Sequence, residues 1–358
     1  MDIPSKRPDI VPLLLKWYDE NVRSFPWRQT NDPYKIWLSE IMLQQTQVKT
    51  VIPYYNRWVA VFPNIKSVAV ANTDSLLKMW EGLGYYARVR NFHSACKIII
   101  NKYSGEVPDS TKLLLTLPGV GPYIAGAIMS IAFNGPIPAI DSNALRVVSR
   151  LNTISGSLLV CKKRITRELS DIICNLRPGD FNQAIMDLGR EICTSKNPSC
   201  NACPLEDNCS AAVNNNVDKY PAMRRSNNKP HYRVAAGIIW KNNKILVSKR
   251  KESGLLGGLW EFPGGKIKDG ETAVKCIIRE VQEELGVCVR PATFIKQIKH
   301  AYSHFSITLD AYHCDFINGI PQALGCEDWR WIFPEQIADL PFPKANHKLF
   351  DKIYEGLA

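Results

Sequence analysis

The sequence predicts a multidomain chain in which an all-α domain precedes a mixed α/β domain. Between residues 10 and 210, apolar residues recur at the spacing of helices with one buried face, as over 11–18 and 76–80. Residues 211–231 lack this periodicity and are rich in Asn, Arg and Pro, a composition typical of a linker. The pattern of the chain changes after this stretch, so we expect a domain boundary within it.

The part that follows the linker begins with strands. Residues 234–240 and 245–247 are rich in β-branched and apolar residues, and Asn242-Asn243 between them suits a tight turn. The remainder mixes helical and strand patterns, which indicates an α/β domain. We therefore assign residues 1–212 to the helical domain, 213–231 to the linker and 232–358 to the α/β domain.

The positive charge is concentrated in the first domain. The chain has 358 residues and a formal net charge of +11. Residues 1–230 hold 28 Lys and Arg against 19 Asp and Glu, whereas the remaining residues hold 17 against 15. Such a surplus is the electrostatic footprint expected of a domain that binds a polyanion.

Composition and the start of the chain favour a cytoplasmic protein. Hydrophobic residues make up 45% and charged residues 22%, as in globular proteins. No apolar signal core follows Met1, and no apolar run is long enough to span a bilayer. We therefore expect no membrane partner. Seven cysteines, most of them in apolar surroundings, are typical of reduced thiols: they occupy positions 96, 161, 174, 276, 288, 314 and 326.

Four further cysteines follow one another closely near the middle of the chain. They are Cys193, Cys200, Cys203 and Cys209, with the spacing C-x6-C-x2-C-x5-C. Thiolates so close in sequence can converge on one metal centre, either zinc or an iron–sulfur cluster. A zinc ribbon usually has two C-x2-C pairs, and this quartet has one. The residues alone leave both kinds of site open.

A glycine-containing turn lies between two helical stretches at Leu117-Pro118-Gly119-Val120-Gly121. Gly119 and Gly121 allow a tight turn whose backbone N–H groups face outward at the start of the next helix. That geometry binds a phosphate without reading base sequence. The alternative is an ordinary turn between two packed helices.

Two carboxyl groups occupy contrasting positions in the helical domain. Glu40 lies within a strongly apolar helix, where desolvation would raise its pKa and keep it protonated. Asp141 precedes a predicted helix start, where an ionised carboxylate is favoured, although for Asp141 alone an ordinary N-cap is the favoured interpretation. A protonated and an ionised carboxyl group together can donate a proton and stabilise positive charge during glycosidic cleavage.

These motifs together resemble those of the helix-hairpin-helix DNA glycosylases, and most closely the MutY family of adenine DNA glycosylases. The resemblance rests on Trp-Leu-Ser-Glu-Ile-Met-Leu-Gln-Gln-Thr-Gln around Glu40, the Leu-Pro-Gly-Val-Gly hairpin, Asp141 and the cysteine quartet. It covers essentially the whole chain. It implies a helix-hairpin-helix domain that includes a [4Fe-4S] loop over 193–209, followed by a MutT-like Nudix domain.

The resemblance also implies a role for each site residue. Glu40 would protonate the extruded adenine at N7, and Asp141 would stabilise the oxocarbenium ion that develops on the sugar. The four cysteines would hold a [4Fe-4S] cluster. The DNA-binding residues implied by the resemblance, with the hairpin and the second domain included, are Arg28, Gln45, Tyr85, Gly119, Gly121, Tyr123, Asn143, Tyr302, Ser303 and His304.

Position 123 separates two types of reaction. Relatives of the endonuclease III type carry a lysine there, which forms a Schiff base and cuts the strand. This chain has Tyr123, which offers no nucleophilic amine, so we expect a monofunctional glycosylase. Tyr123 could instead support the region of Asp141. Ser142 also departs from the family, which usually has glycine at this position.

A second motif lies in the α/β domain. Residues 265–287 fit the full Nudix pattern G-x5-E-x7-R-E-U-x-E-E-x-G-U, where U is bulky and apolar. Glu280, Glu283 and Glu284 would share one helix face, where a Mg2+ ion bound to a pyrophosphate could join them. One interpretation is an inherited scaffold that recognises 8-oxoguanine in DNA. The other is a second active site that hydrolyses oxidised nucleotides.

The sequence therefore predicts a base-excision enzyme that removes adenine paired with 8-oxoguanine or guanine from double-stranded DNA. We expect it to act as a monomer in the bacterial cytoplasm, associated with the nucleoid through its affinity for DNA. Two other interpretations compete with this one. The first is a nucleotide hydrolase that carries a DNA-binding domain, and the second is a lesion-binding protein without catalytic activity. The pairing of Glu40 with Asp141 disfavours the non-catalytic one.

Overall fold

The computed structural model describes residues 9–221 and 229–353. These residues form two compact units. The first unit contains residues 9–69 and 94–221, and the second contains 70–93 and 229–353. Within the described ranges, every helix is too short or too polar to traverse a bilayer.

The first unit is built from helices, as the periodicity predicts. In chain order, the helices from the start of the chain to the cysteine region are α1 (Ile10–Asn21), α2 (Pro33–Leu43), α3 (Val48–Val61), α4 (Ile65–Val70), α5 (Thr73–Trp80), α6 (Ala87–Lys102), α7 (Thr111–Leu114), α8 (Pro122–Ala132), α9 (Ser142–Leu151), α10 (Leu158–Ile172), α11 (Pro178–Glu191) and α12 (Ser210–Val213). Helix α5 belongs to the second unit, and α4 and α6 each cross from one unit into the other.

One hydrophobic core joins α1, α9, α10 and α11. It contains Leu14, Val148, Ile165 and Phe181, each of which is buried. Complete burial of such a side chain contributes about 1.5–3 kcal/mol relative to exposure. This core holds the start of α9 and the middle of α11 in fixed positions, and both segments carry polar residues of the site described below.

The glycine turn of the sequence forms a helical hairpin between α7 and α8. Gly119 has a φ of 76°, in the left-handed region that favours glycine. The Val120 N–H donates to the carbonyl of Leu117 at 3.1 Å, and both side chains are buried beneath the turn. Gly121 caps α8, and Pro122 occupies its first turn. The turn is therefore anchored by apolar side chains while its glycines lie toward solvent.

A sheet and two further helices form most of the second unit. Their bounds are β1 (His231–Lys241), β2 (Lys244–Lys249), β3 (Trp260–Glu261), β4 (Gly264–Lys266), α13 (Ala273–Leu285), β5 (Cys288–Ala301), β6 (Ser306–Asn318), β7 (Asp328–Ile332) and α14 (Lys344–His347). The strand order is β3-β2-β1-β6-β5, with β4 paired to β1 and β7 paired to β2. Only the β1–β6 pair is parallel within the described sheet.

The sequence predicts the first hairpin of this sheet correctly. Asn242 and Asn243 have φ values of 50° and 59°, which match the two left-handed positions of a tight hairpin turn. Helix α13 covers one face of the sheet through Cys276, Ile277 and Leu285. An all-α part followed by a mixed α/β part confirms the predicted fold class. The predicted linker includes residues 222–228, which lie outside the described residues, so the domain limits stay a prediction.

Residues 70–93 join the second unit through polar contacts. Asp74 accepts from Lys249 Nζ at 2.7 Å and from Trp260 Nε1 at 3.1 Å. Glu81 contacts His347 Nε2 at 2.7 Å and accepts from the Phe342 N–H at 2.8 Å. Tyr85, which the sequence predicts to contact DNA, is therefore carried by a segment that packs with the α/β elements.

Candidate active site

A cleft of about 1300 Å³ opens within the first unit. It unites most of the site residues predicted for the helical domain: Arg28, Glu40, Gln45, Tyr123, Asp141 and Asn143 all line it. Gly119 and Gly121 lie outside its lining, on the α7–α8 hairpin, and Tyr85 belongs to the second unit. The two carboxyl groups chosen from the sequence thus share one solvent-accessible space.

Glu40 is a buried acid at the wall of this cleft. Helix α2 is apolar on most of its faces, so its seventh and eighth residues, Ser39 and Glu40, are also buried, and Glu40 is only 6% exposed. Burial raises the pKa of Glu40 to about 7, and Asp141 adds to this rise. A hydrogen bond from the Tyr123 hydroxyl and the charge of Arg28 oppose it. Glu40 can therefore hold a proton near neutral pH.

Asp141 is fixed at the start of α9. Its carboxylate accepts from the Ala144 N–H and from the Asn143 side-chain amide, each at 2.7 Å. Burial raises the pKa of Asp141, whereas these hydrogen bonds and the charge of Arg146 lower it. Asp141 thus lies at the helix start that the sequence predicts, and its pKa is raised overall. Its burial works against the ionised form more strongly than the sequence suggests.

Sequence reasoning missed Arg146, which holds Asn143 in place. Arg146 Nη2 donates to Asn143 Oδ1 at 2.9 Å and to the Gly189 carbonyl at 2.6 Å, and its Nε donates to the Cys193 carbonyl at 2.7 Å. A side chain at Gly189 would place its Cβ within 2.7 Å of the Asn143 Cβ, so only glycine lets α11 approach so closely. The surroundings of Asp141 are thus rigid.

Asp187 is a second residue that the sequence reasoning missed. It forms a two-point ion pair with Arg28, whose Nη1 and Nη2 lie 2.7 and 2.9 Å from its two oxygens. Arg190 contacts the same carboxylate at 2.9 Å. Asp187 is 4% exposed. Asp187 lies between Met186 and Leu188 on an amphipathic helix, a weaker signal than the continuous apolar run that identified Glu40.

Tyr123 and Gln45 complete the lining of the cleft. The Tyr123 hydroxyl contacts Glu40, and no hydrogen bond joins it to Asp141 among the described contacts. Burial and the neighbouring carboxyl groups raise its pKa well above its usual value, so it remains a neutral donor. Gln45 is exposed in the turn between α2 and α3, with a φ of 57°.

The four cysteines surround a separate, small cavity of about 30 Å³. All four thiols are free, and burial raises the pKa of Cys200, Cys203 and Cys209, that of Cys203 to about 12, so these three thiols form thiolates more readily beside a cationic centre. Arg150 Nη1 lies 3.3 Å from Cys193 Sγ. Within the described ranges no three Cys, His, Asp or Glu side chains are grouped for a single metal ion. The structure thus brings the four predicted cysteines to the lining of one small cavity.

The β5–β6 hairpin of the second unit carries the other predicted DNA contacts. The rings of Tyr302 and Phe305 stack at 4.6 Å between centroids, and the Tyr302 N–H donates to the Phe305 carbonyl at 2.8 Å. Ser303 and His304 are exposed at the tip. The His304 ring meets Tyr85 edge-on at 5.2 Å. The structure therefore brings Tyr85 to the predicted hairpin, although the two are distant in sequence.

The Nudix carboxylates lie along α13. Arg279 contacts Glu280 at 2.7 Å and Glu283 at 3.2 Å, while Glu284 is half-buried. Burial, together with Glu261 and Glu280, raises the pKa of Glu284 to about 7. A Cβ on Gly265 would overlap the Glu280 carboxyl group. The three acids therefore share a face, as predicted, and their mutual repulsion is only partly offset by Arg279.

Comparison with known proteins agrees with this arrangement. Residues 38–174 match the HhH-GPD superfamily of base excision DNA repair proteins, and residues 234–352 match the NUDIX domain. The fold and the cleft thus define a base excision DNA repair protein that carries a Nudix domain. The chain is 37% identical to the adenine DNA glycosylase of Buchnera aphidicola subsp. Acyrthosiphon pisum over 303 residues, which are 83% of this chain and 84% of that protein. It belongs to the adenine DNA glycosylase family.

Two further comparisons extend this match. The adenine DNA glycosylase of Rattus norvegicus is 31% identical over 401 residues, which are 96% of this chain and 77% of that protein. A solved thermostable thymine-DNA glycosylase matches 58% of this chain and 97% of its own, with a TM-score of 0.54 and 27% identity. The family and the enzyme class predicted from the sequence, a hydrolytic DNA glycosylase, are confirmed.

Proposed function

We propose that this protein excises adenine paired with 8-oxoguanine or guanine in double-stranded DNA, by hydrolysing the N-glycosidic bond. The observation that carries the proposal is one cleft lined by a buried acid with a pKa of about 7 and a second carboxyl group at a helix start. A base leaves more readily when it is protonated and when positive charge on the sugar is compensated.

Glu40 is the proton donor in this scheme. Its protonated carboxyl group transfers a proton to N7 of the extruded adenine, which makes the base a neutral leaving group. Asp141, held by Ala144 and Asn143, faces the sugar and stabilises the oxocarbenium ion. Water then adds to the sugar and leaves an abasic site. General acid catalysis of this kind typically contributes about 10²–10⁴-fold to the rate.

The adenine must leave the base stack before it reaches Glu40, which costs a few kcal/mol. Gln45 is placed for insertion into the vacated position, because it is exposed on a turn that lines the cleft. Arg28 is held by Asp187 at the cleft wall, where it contacts the adenine. The N–H groups beside Gly119 and Gly121 bind a backbone phosphate, which positions the duplex without reading sequence.

We assign recognition of the oxidised guanine to Tyr85 and to the β5–β6 hairpin with Tyr302, Ser303 and His304. Their support is the edge-on contact of Tyr85 with His304 and the exposure of Ser303 and His304 at the tip. Aromatic faces stack on bases, and exposed hydroxyl and imidazole groups supply hydrogen bonds to a base edge.

We assign a [4Fe-4S] cluster to Cys193, Cys200, Cys203 and Cys209, supported by the one cavity that all four residues line. Four thiolates leave no open position on the cluster, so its contribution is structural. The protein acts as a monomer, and DNA affinity retains it at the bacterial nucleoid.

Single-turnover cleavage of a duplex with adenine opposite 8-oxoguanine tests this function. We expect the wild-type protein to release adenine and leave an abasic site, and Glu40→Gln to be slower by about 10² or more. A wild-type protein that leaves the adenine in place would refute the proposal. Because Tyr123 replaces the lyase lysine, strands should break only after added base or heat; spontaneous breakage would contradict a monofunctional enzyme.

The intact Nudix pattern supports a second candidate function, hydrolysis of oxidised nucleoside triphosphates. Its specific observation is that Glu280, Glu283 and Glu284 share a face of α13. Mg2+ at these carboxylates would neutralise a pyrophosphate. Turnover of 8-oxo-dGTP with Mg2+, lost in Glu283→Gln, would establish this activity. Absence of turnover in the wild-type protein would leave the second domain as a recognition scaffold.

A further inference from the structure

Two side chains of α10 line the cleft and have no part in the chemistry proposed above. They are Leu158 and Lys162, one helical turn apart on the same face of the helix. Leu158 is 48% exposed, and Lys162 is exposed as well. We call this pair the α10 rim. An apolar and a cationic side chain are thus presented together at the cleft.

The α10 rim projects from a well-anchored helix. Cys161, Ile165 and Leu169 bury the adjacent face of α10 in the core of the first unit. The Ser157 hydroxyl accepts from the Val160 N–H at 3.4 Å and caps the helix. The positions of the rim side chains along the cleft are therefore set by packing of the helix.

The first part of α10 carries charge of one sign. The first ten residues of α10 contain Lys162, Lys163, Arg164 and Arg167 and no acidic residue. The Lys162 ammonium group forms no ion pair with a carboxylate in the part of the chain that the structure describes. By contrast, Arg190, another cation of the cleft, is paired with Asp187. Lys162 is thus a cation at the cleft that no carboxylate of the described residues neutralises.

We propose that the α10 rim is a DNA contact that holds the strand beside the extruded nucleotide. Lys162 binds a backbone phosphate, and Leu158 packs against the neighbouring sugar. Both features fit DNA, since the cation complements the phosphate and the leucine covers the apolar face of the deoxyribose. This inference rests on the proposed function, because the rim is continuous with the cleft that receives the base.

Neighbouring residues of the same types supply matched controls. Lys163 and Leu159 lie beside Lys162 and Leu158 in sequence, are exposed, and do not line the cleft. Four variants, Lys162→Ala, Lys163→Ala, Leu158→Ser and Leu159→Ser, therefore separate a contact at the rim from a general loss of charge or apolar surface. All four change exposed side chains, so they leave the core intact.

We would measure the Kd of each variant for a short duplex that carries 2′-fluoro-adenosine opposite 8-oxoguanine. Fluorescence anisotropy gives this Kd over a range of salt concentrations. The fluorine substituent makes the glycosidic bond of this nucleotide resistant to cleavage, so binding is observed without turnover. Loss of one phosphate contact lowers the slope of log K against log salt by about 0.9, which weakens binding about eightfold at about 0.1 M salt. We expect this change for Lys162→Ala and an unchanged slope for Lys163→Ala.

Leu158→Ser should weaken binding about fivefold without altering the salt slope, because burial of half a leucine side chain is worth roughly 1 kcal/mol. Leu159→Ser should bind as the wild-type protein does. Equal effects within either matched pair would overturn the proposal. Excision of adenine by the wild-type protein from the cleavable duplex is measured alongside. If the wild-type protein does not excise adenine, the proposed function is refuted. If it does, but the two variants of a matched pair have equal effects on binding, only the proposal for the α10 rim is refuted.

Discussion

Replacement of Glu40 by glutamine should stabilise the protein above neutral pH even as it removes the proposed proton donor. Burial raises the pKa of Glu40 from 4.5 to about 7. One pKa unit corresponds to about 1.36 kcal/mol, so the ionised carboxyl group lowers the free energy of unfolding by about 3 kcal/mol. Glutamine keeps an acceptor for Tyr123 and carries no charge, so it avoids this loss.

The sign of the pH dependence follows from the direction of the shift. Because the folded-state pKa of Glu40 lies above the unfolded one, its favourable contribution is complete below about pH 4.5 and is lost as the pH rises through about 7. Urea unfolding at about pH 5 and about pH 8 measures the difference. Glu40→Gln should exceed the stability of the wild-type protein by less than about 1 kcal/mol at the lower pH and by about 3 kcal/mol at the higher.

Glu81 provides a control of opposite sign. Its contacts with His347, the Phe342 N–H and Lys78 lower its pKa, so it contributes stability above its unfolded pKa and loses it on acidification. Glu81→Gln should therefore destabilise the protein at the higher pH and have little effect in acid. A stability difference for Glu40→Gln that is the same at both pH values would refute the assignment of a buried, pKa-shifted acid.

Three further predictions concern neighbouring contacts. Tyr123→Phe removes the hydrogen bond that lowers the pKa of Glu40. The pH at which the single-turnover rate falls on the alkaline side should therefore rise by about one unit. An unchanged pH profile would contradict the hydrogen bond between Tyr123 and Glu40. Cys203→Ser should lower bound iron and the thermal midpoint, measured by metal analysis and calorimetry; full retention of both would count against the cluster. Arg88 donates to the Leu83 and Gly84 carbonyls at 3.2 and 3.0 Å, directly before Tyr85 in the chain. If these hydrogen bonds position Tyr85, Arg88→Met should reduce the preference for 8-oxoguanine over guanine by about tenfold. An unchanged preference would show that other contacts position Tyr85.

Sequence reasoning found Glu40 and missed Asp187 for a physical reason. An acid within an apolar run, such as Glu40 in α2, is buried whichever face the helix presents. Helix α11 is amphipathic and carries Asp180, Asp187 and Glu191, and only Asp187 is fully buried among them. Its burial depends on a partner 159 residues away, Arg28, which no local pattern reveals.

The position of residues 70–93 was also beyond the sequence pattern. Helical periodicity identifies α5 correctly but does not specify which unit its buried face joins. Ion pairs such as Asp74 with Lys249 and Glu81 with His347 connect positions separated by more than 170 residues. Local motifs, by contrast, were readable: the hairpin glycines, the Asn-Asn turn and the helix cap at Asp141 each depend on backbone conformations within a few residues.

The identity of residue 123 links the type of reaction to the protonation of the acid. The Tyr123 hydroxyl donates a hydrogen bond to Glu40. Burial and the neighbouring carboxyl groups raise the pKa of Tyr123, so its hydroxyl stays neutral. A lysine at this place would set a positive charge beside both carboxyl groups, and an opposite charge within about 4–6 Å favours the ionised form of an acid. Glu40 would then lose the proton that the proposed excision of adenine requires. The tyrosine therefore does more than remove a nucleophile: its hydrogen bond lowers the pKa of Glu40, but it adds no positive charge, and the pKa stays at about 7.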